Sequence, residues 1–170
     1  VIEAAEIAAR LNPGRSRPFA FEKLATFDAE AWQRMREVKS ARTPPARFYG
    51  SDRDAGAIRM SYANAKRAGV ESFTEFRQSP ISDLQAPEGP PGLVIVNPPY
   101  GIRLGDPKKL LPLYRTLGQT LRSRFAGWRV GIITSETWLA QATGLPVLPT
   151  DAPVLHGGLR VNLFRTEALA

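Results

Sequence analysis

Leu93-Val94-Ile95-Val96-Asn97-Pro98-Pro99-Tyr100-Gly101 decides how the rest of the chain is read. Four consecutive apolar residues, three of them β-branched, predict a strand buried on both faces. Pro98 and Pro99 then end it, since each fixes φ and removes a backbone donor, leaving carbonyls aimed outward. A strand of that kind belongs to a parallel sheet with helices on its faces. In such sheets ligands sit beyond the carboxyl ends of the strands, so the residue after each strand is a candidate site residue.

The sequence on either side alternates strand and helix. A helix is expected over Val1–Leu11, stopped by Asn12-Pro13-Gly14. A second starts at Asp28 as N-cap, with Trp32, Met35 and Val38 on one side. A strand over Arg47–Ser51 is followed by a helix over Ala55–Ala68 that closes at Gly69. Ser72–Phe76 reads as the next strand. Leu110–Phe125 reads as a long helix interrupted early by Pro112, Arg129–Thr134 as a buried strand and Thr137–Ala142 as a short helix. Leu145–Leu148 and Leu159–Phe164 suggest a final antiparallel pair, with His156 in its loop. The expected class is α/β, a Rossmann-like, mostly parallel sheet with an antiparallel hairpin at the C-terminal end.

Composition narrows the chemistry. The 170 residues include no Cys and one His, which excludes a disulfide framework, a thiolate metal site and a cysteine nucleophile. No metal is expected. No apolar run approaches a membrane span of about 18 residues, and Val1-Ile2-Glu3 has no basic leader, so a cytoplasmic protein without a membrane partner is expected. The net charge is +7, and residues 101–129 alone carry seven basic side chains against one acid. That stretch, which includes Arg103, Lys108 and Lys109, is either a solvated helix face or a surface for phosphates.

The strand ends carry the specific signals. After the first strand, Asp52 can accept from both hydroxyls of a ribose, while Asp54 caps the following helix. After Val96, the Asn97 amide oxygen and the Pro98 carbonyl can both accept from one NH2 group, and Tyr100 offers a face for a planar ring. Such a pair suits an exocyclic amine of a nucleobase. It would orient that weak nucleophile and stabilise the positive charge that grows on nitrogen during attack on an activated methyl. A paired base cannot enter such a site, so the target must be flipped or single-stranded. Ser135-Glu136-Thr137, after the later buried strand, either lines the base pocket or starts a helix with Ser135 as N-cap.

Asn97-Pro98-Pro99-Tyr100-Gly101-Ile102-Arg103, together with Gly50-Ser51-Asp52-Arg53-Asp54 and Asn64-Ala65-Lys66-Arg67-Ala68-Gly69, resembles the THUMP-associated class I RNA methyltransferases. The likeness is nearest to bacterial enzymes that methylate a guanine of large-subunit ribosomal RNA. It implies S-adenosylmethionine as cofactor and RNA as partner. It places Asp52 on the cofactor's ribose and Arg53 beside its adenine. Asn97, Pro98, Pro99 and Tyr100 become catalytic positions, Asn97 also lying near the methionine portion, and Arg103 meets RNA. Ser79-Pro80 stands where the family has an Asp, so a backbone amide at Ser79 would meet the adenine instead.

The resemblance also implies that Val1 follows directly on the family's first strand and glycine-rich loop. Residues 1–170 then form one truncated catalytic domain, helical over 1–47 and alternating over 48–170. Sheet edges left open in this way invite a homo-oligomer. Weak or no cofactor binding is expected of this piece alone. Two readings stay beside guanine methylation: N6-adenine methylation of DNA or RNA, and a nucleic-acid-binding fragment without catalysis.

Overall fold

The computed structural model describes residues 1–37, 41–100, 107–149, 151–156 and 158–170. They form two compact units, Val1–Gln78 and Ser79–Ala170, each with its own sheet. No helix among the described residues is long and apolar enough to cross a membrane.

The first unit holds α1 (Ile2–Ala8), α2 (Ala29–Arg36), β1 (Phe48–Asp52), α3 (Ala55–Ala68) and β2 (Thr74–Gln78). β1 and β2 pair in parallel with Gly50 opposite Phe76, and α3 is the crossover between them. The ends of α3 follow from local chemistry: Asp54 Oδ1 accepts from the Gly56 amide at 2.6 Å, and Gly69 closes the helix at φ 68°. Ala5, Ala65, Val70 and Phe76 make the core, with Ile2, Phe48 and Ile58 against it. Arg15 reaches the Ala68 carbonyl at the negative end of α3 and pairs with Glu6 at 2.6 Å. Asp28 caps α2 by accepting from Ala31 at 2.9 Å. The expected apolar stripe on α2 is only partly realised. Trp32 packs edge-on against Phe19 and Phe21, whereas Met35 is 71% exposed and Val38 lies outside the described residues.

The second unit holds β3 (Leu93–Val96), α4 (Leu111–Arg124), β4 (Arg129–Thr134), α5 (Thr137–Ala142), β5 (Val154–His156) and β6 (Leu159–Arg165). Its sheet runs β3-β4-β6-β5, with β3 and β4 parallel and the last two pairings antiparallel. One face is the core: Tyr114, Leu117 and Leu121 from α4, Val130 and Ile132 from β4, Leu139 from α5 and Phe164 from β6. The i, i+3, i+7 spacing on α4 is that of a helix with one buried side.

Four expectations need correction. β3 is covered on one face only: Val94 and Val96 pack on the core, while Leu93 and Ile95 are 53% and 56% exposed. Among the described residues β3 pairs only with β4, and β1 only with β2. Pro112 does not interrupt α4. It sits in the first turn, where no donor is needed, after a 3-10 turn over Pro107–Leu110. β2 begins two residues late because Glu71–Phe73 takes a 3-10 turn. The hairpin partner of β6 is Val154–His156 rather than Leu145–Leu148, of which Val147 makes a single bridge to Thr166. His156 is thus the last residue of a strand and not part of the loop.

α4 and α5 touch at Gly118, where a Cβ would lie 1.8 Å from the Thr143 carbonyl oxygen. Arg122 donates to that same carbonyl at 2.6 Å, tying the helices together. Gly118→Ala must therefore push backbone apart, and a loss of about 1–3 kcal/mol in urea unfolding is expected. Gly69 has open space around it, so Gly69→Ala is expected to cost only about 1 kcal/mol through its left-handed backbone.

Candidate active site

The predicted site residues fall in both units. In the first, Asp52 ends β1 and is exposed. Its Oδ1 accepts from the Asp54 amide at 2.8 Å, which turns the chain into α3 and holds the carboxylate at the strand's carboxyl edge. Asp52 lines an open cleft of about 450 Å³ with Val1, Ile2, Glu3, Ser51 and Ile58. Gly50 keeps its inner wall flat, for a Cβ there would meet the Phe76 ring at 2.7 Å. Arg53 is exposed, and its carbonyl accepts from Gln78 Nε2 at 3.1 Å, joining the two strand ends. The Phe19–Glu22 segment packs on Trp32 and is not among the cleft-lining residues. Glu3 is a carboxylate that sequence reasoning missed. Its signal was its place in the first turn of α1, beside the strand that carries Asp52.

In the second unit, Ser79 is half-buried and donates to the Pro80 carbonyl at 3.2 Å. The nearby acid Asp83 accepts from Ser82 at 2.9 Å. Lys108 and Lys109 are exposed in the 3-10 turn before α4. Arg103 lies outside the described residues. Part of the basic stretch is structural: besides Arg122, Arg124 donates to the Ser82 and Leu84 carbonyls at 2.8 and 3.1 Å. Those two guanidiniums hold neighbouring backbone, which leaves less of the stretch for phosphates.

Beyond β3, Asn97 is exposed, Pro98 buried, Pro99 exposed and Tyr100 half-buried. Val96, the last residue of β3, pairs with Ile132, two residues before Thr134 at the end of β4. Tyr114, fully buried on α4, fixes this turn. Its hydroxyl lies 3.2 Å from the Pro99 carbonyl and 3.3 Å from Thr134 Oγ1. A carbonyl can only accept, so Tyr114 gives its one hydrogen to Pro99, and the Thr134 hydroxyl supplies the Tyr114 oxygen. The Glu136 amide donates in turn to Thr134 Oγ1 at 3.1 Å. Burial pushes the Tyr114 phenol above its usual range; the charges of Glu136 and Tyr100 push it the same way, and the Thr134 bond opposes them. Tyr114 therefore stays a donor at neutral pH.

Tyr114 had a readable signal. A tyrosine on an otherwise aliphatic stripe needs a partner for its hydroxyl. Ser135 is not the cap of α5: the N-cap is Glu136, and Ser135 Oγ donates to Glu136 Oε1 at 3.2 Å. Of the tryptophans, Trp32 and Trp128 are half-buried and Trp138 is exposed.

The shared hydrogen-bond chain makes a thermodynamic prediction. Tyr114→Phe and Thr134→Val are each expected to lower the unfolding free energy by about 1–2 kcal/mol. The double variant should lose less than their sum, because both break one network. Strictly additive losses in urea titrations would contradict the network.

Comparison with known proteins gives the family. A family model described as RMKL-like, methyltransferase domain matches residues 1–148. A ribosomal RNA large subunit methyltransferase K/L of Chromohalobacter salexigens is 40% identical over 154 residues, covering 85% of this chain and 21% of that protein. The chain spans about a fifth of the length of the curated relatives it matches. Among solved structures, a possible methylase from Clostridium difficile 630 is 31% identical with a TM-score of 0.84, over 99% of this chain and 45% of that one. SMU.472, a methyltransferase by name and complexed with SAH, is 28% identical with a TM-score of 0.82 over the same shares. With most of its length matched by that model, the chain belongs to the family of RMKL-like methyltransferase domains, UPF0020.

Proposed function

We propose that this chain is catalytic machinery for moving a methyl group from S-adenosylmethionine to an exocyclic amine of a nucleobase in RNA, guanine N2 of large-subunit ribosomal RNA. The observation that carries the reading is the turn after β3. Asn97 is exposed beside a buried Pro98, and the turn is anchored through the Pro99 carbonyl to Tyr114. Family membership and the ribosomal RNA methyltransferases among the relatives support it.

The first unit's cleft fits a nucleoside. The carboxylates of Asp52 and Glu3 can accept from ribose hydroxyls, and Ile2, Ile58 and Phe76 give apolar wall. When bound there, S-adenosylmethionine supplies an activated methyl on a sulfonium. The Asn97 amide oxygen and the Pro98 carbonyl accept the two hydrogens of the target amine and aim its lone pair. As nitrogen gains positive charge, both acceptors bind more strongly, which is where they accelerate the step. Tyr100 stacks on the unpaired base, and Lys108 and Lys109 face its phosphates, with Arg103 five residues before them in sequence. The chain acts in the cytoplasm, where ribosomal RNA is made available.

Adenine also presents an NH2 to two acceptors, so the amine reading by itself admits an N6-adenine product in RNA or DNA. A binding fragment without catalysis would leave the anchored Asn97 turn without a use. The test is methyl transfer by the purified full-length protein to undermodified ribosomal RNA, with products resolved by base. Asn97→Ala is expected to lower kcat by about 100-fold with little change in RNA affinity. Full activity in that variant would contradict the mechanism. Asp52→Asn is expected to weaken S-adenosylmethionine about tenfold in calorimetry, since a charge-assisted bond becomes a neutral one; unchanged affinity would remove Asp52 from the cofactor site.

A further inference from the structure

Glu136 is half-buried at the end of β4 and has no part in the mechanism so far. Its backbone is fixed to the amine-binding turn. The Glu136 amide holds Thr134 Oγ1, which meets Tyr114, which holds Pro99. Its carboxylate is also held: Oε1 accepts from Ser135 Oγ at 3.2 Å and Oε2 from Trp138 Nε1 at 3.2 Å. A carboxylate has about four lone-pair sites, so each oxygen keeps capacity for a further donor. Its charge is felt at the Tyr114 hydroxyl, the same group that anchors the turn.

A fixed anion next to an amine site distinguishes the purines. In guanine the 2-amino group is flanked by N1, which carries a hydrogen, and by N3, a bare acceptor, so a carboxylate finds a donor on the N1 side. In adenine both ring nitrogens flanking the 6-amino group, N1 and N7, are bare acceptors. A carboxylate there gains a charge-assisted bond from guanine and meets a lone pair from adenine.

We infer that Glu136 is the specificity-determining acceptor, taking the N1–H of a flipped guanine whose amine is held by Asn97 and Pro98. The inference rests on the amine-methylation reading above and adds the choice of base to it. Ser135 and Trp138 position the carboxylate. The Trp138 indole is exposed and could be served by water, so holding it does not by itself call for an anion.

The test uses the full-length protein and an RNA fragment carrying either guanine or 2-aminopurine at the methylated position. The analogue keeps the 2-amino group and has no N1 hydrogen. The unsubstituted protein is expected to prefer guanine by about 10- to 100-fold in single-turnover rate, the discrimination typical of one good base contact. In Glu136→Gln the side-chain amide can turn its NH2 to the bare N1, so the preference should shrink to within a few-fold while S-adenosylmethionine affinity stays unchanged. A preference kept in the variant, or an equal loss on both substrates, overturns the inference and makes Glu136 structural. No preference in the unsubstituted protein overturns it without any variant. Transfer to adenine N6 in place of guanine overturns it and leaves the amine reading standing, whereas absence of transfer to any exocyclic amine overturns both.

Discussion

A backbone carbonyl next to two prolines cannot rely on neighbouring amides for its hydrogen bond, and the end of β3 is built around that constraint. Pro98 and Pro99 supply no donors, so the donor for the Pro99 carbonyl comes from a helix, as the buried hydroxyl of Tyr114. That hydroxyl links three elements through two hydrogen bonds. α4 brings Tyr114, β3 brings the turn, and β4 brings Thr134 as the second partner. An acceptor pair that must hold an amine in one orientation needs a rigid frame, and a turn held from below by a buried side chain provides it. The close α4–α5 contact at Gly118 belongs to the same frame, since α5 follows directly on Thr134, Ser135 and Glu136.

The first unit solves a different problem with simpler means. The cofactor site proposed for it needs an exposed acceptor at a strand end, and an Asx-type bond from the Asp54 amide to Asp52 sets that carboxylate in place within three residues of sequence. Asp54 then caps α3 with its own side chain. The absence of side chain at Gly50 and the Phe76 ring opposite it shape the cleft wall. Here the contacts are local: the places of Asp52 and Asp54 could be read from the residues themselves, whereas Glu3 in the cleft wall was missed.

That difference explains what could be read in advance. Asp28, Asp54 and Gly69 act on amides or backbone angles a few positions away, so both ends of α3 and the start of α2 were placed correctly from sequence, whereas α2 ends at Arg36, short of Val38. Asn97–Tyr100 stood out as a candidate because few arrangements of residues offer two acceptors and a flat ring at a strand end. Tyr114 signalled that its hydroxyl needs a partner but not which one, because its partners lie 15 and 20 residues away; Glu136 stood in a stretch that was a candidate for the base pocket, and only its place as N-cap was misread. The partner of β6 was misplaced: Val147 and Val154 are both plausible strand residues, and only the tertiary register selects the latter. An apolar run such as Leu93–Val96 does not reveal how many of its faces are covered, and in this structure one is.

The central claim is that Asn97 and Pro98 present an exocyclic amine for methylation. The most direct measurement is mass spectrometry of nucleosides from ribosomal RNA treated with the full-length protein and isotopically methyl-labelled S-adenosylmethionine. The account predicts the label in N2-methylguanosine. Label on a ring nitrogen, a ring carbon or a ribose oxygen would contradict it, since none of those atoms offers two hydrogens to a pair of acceptors.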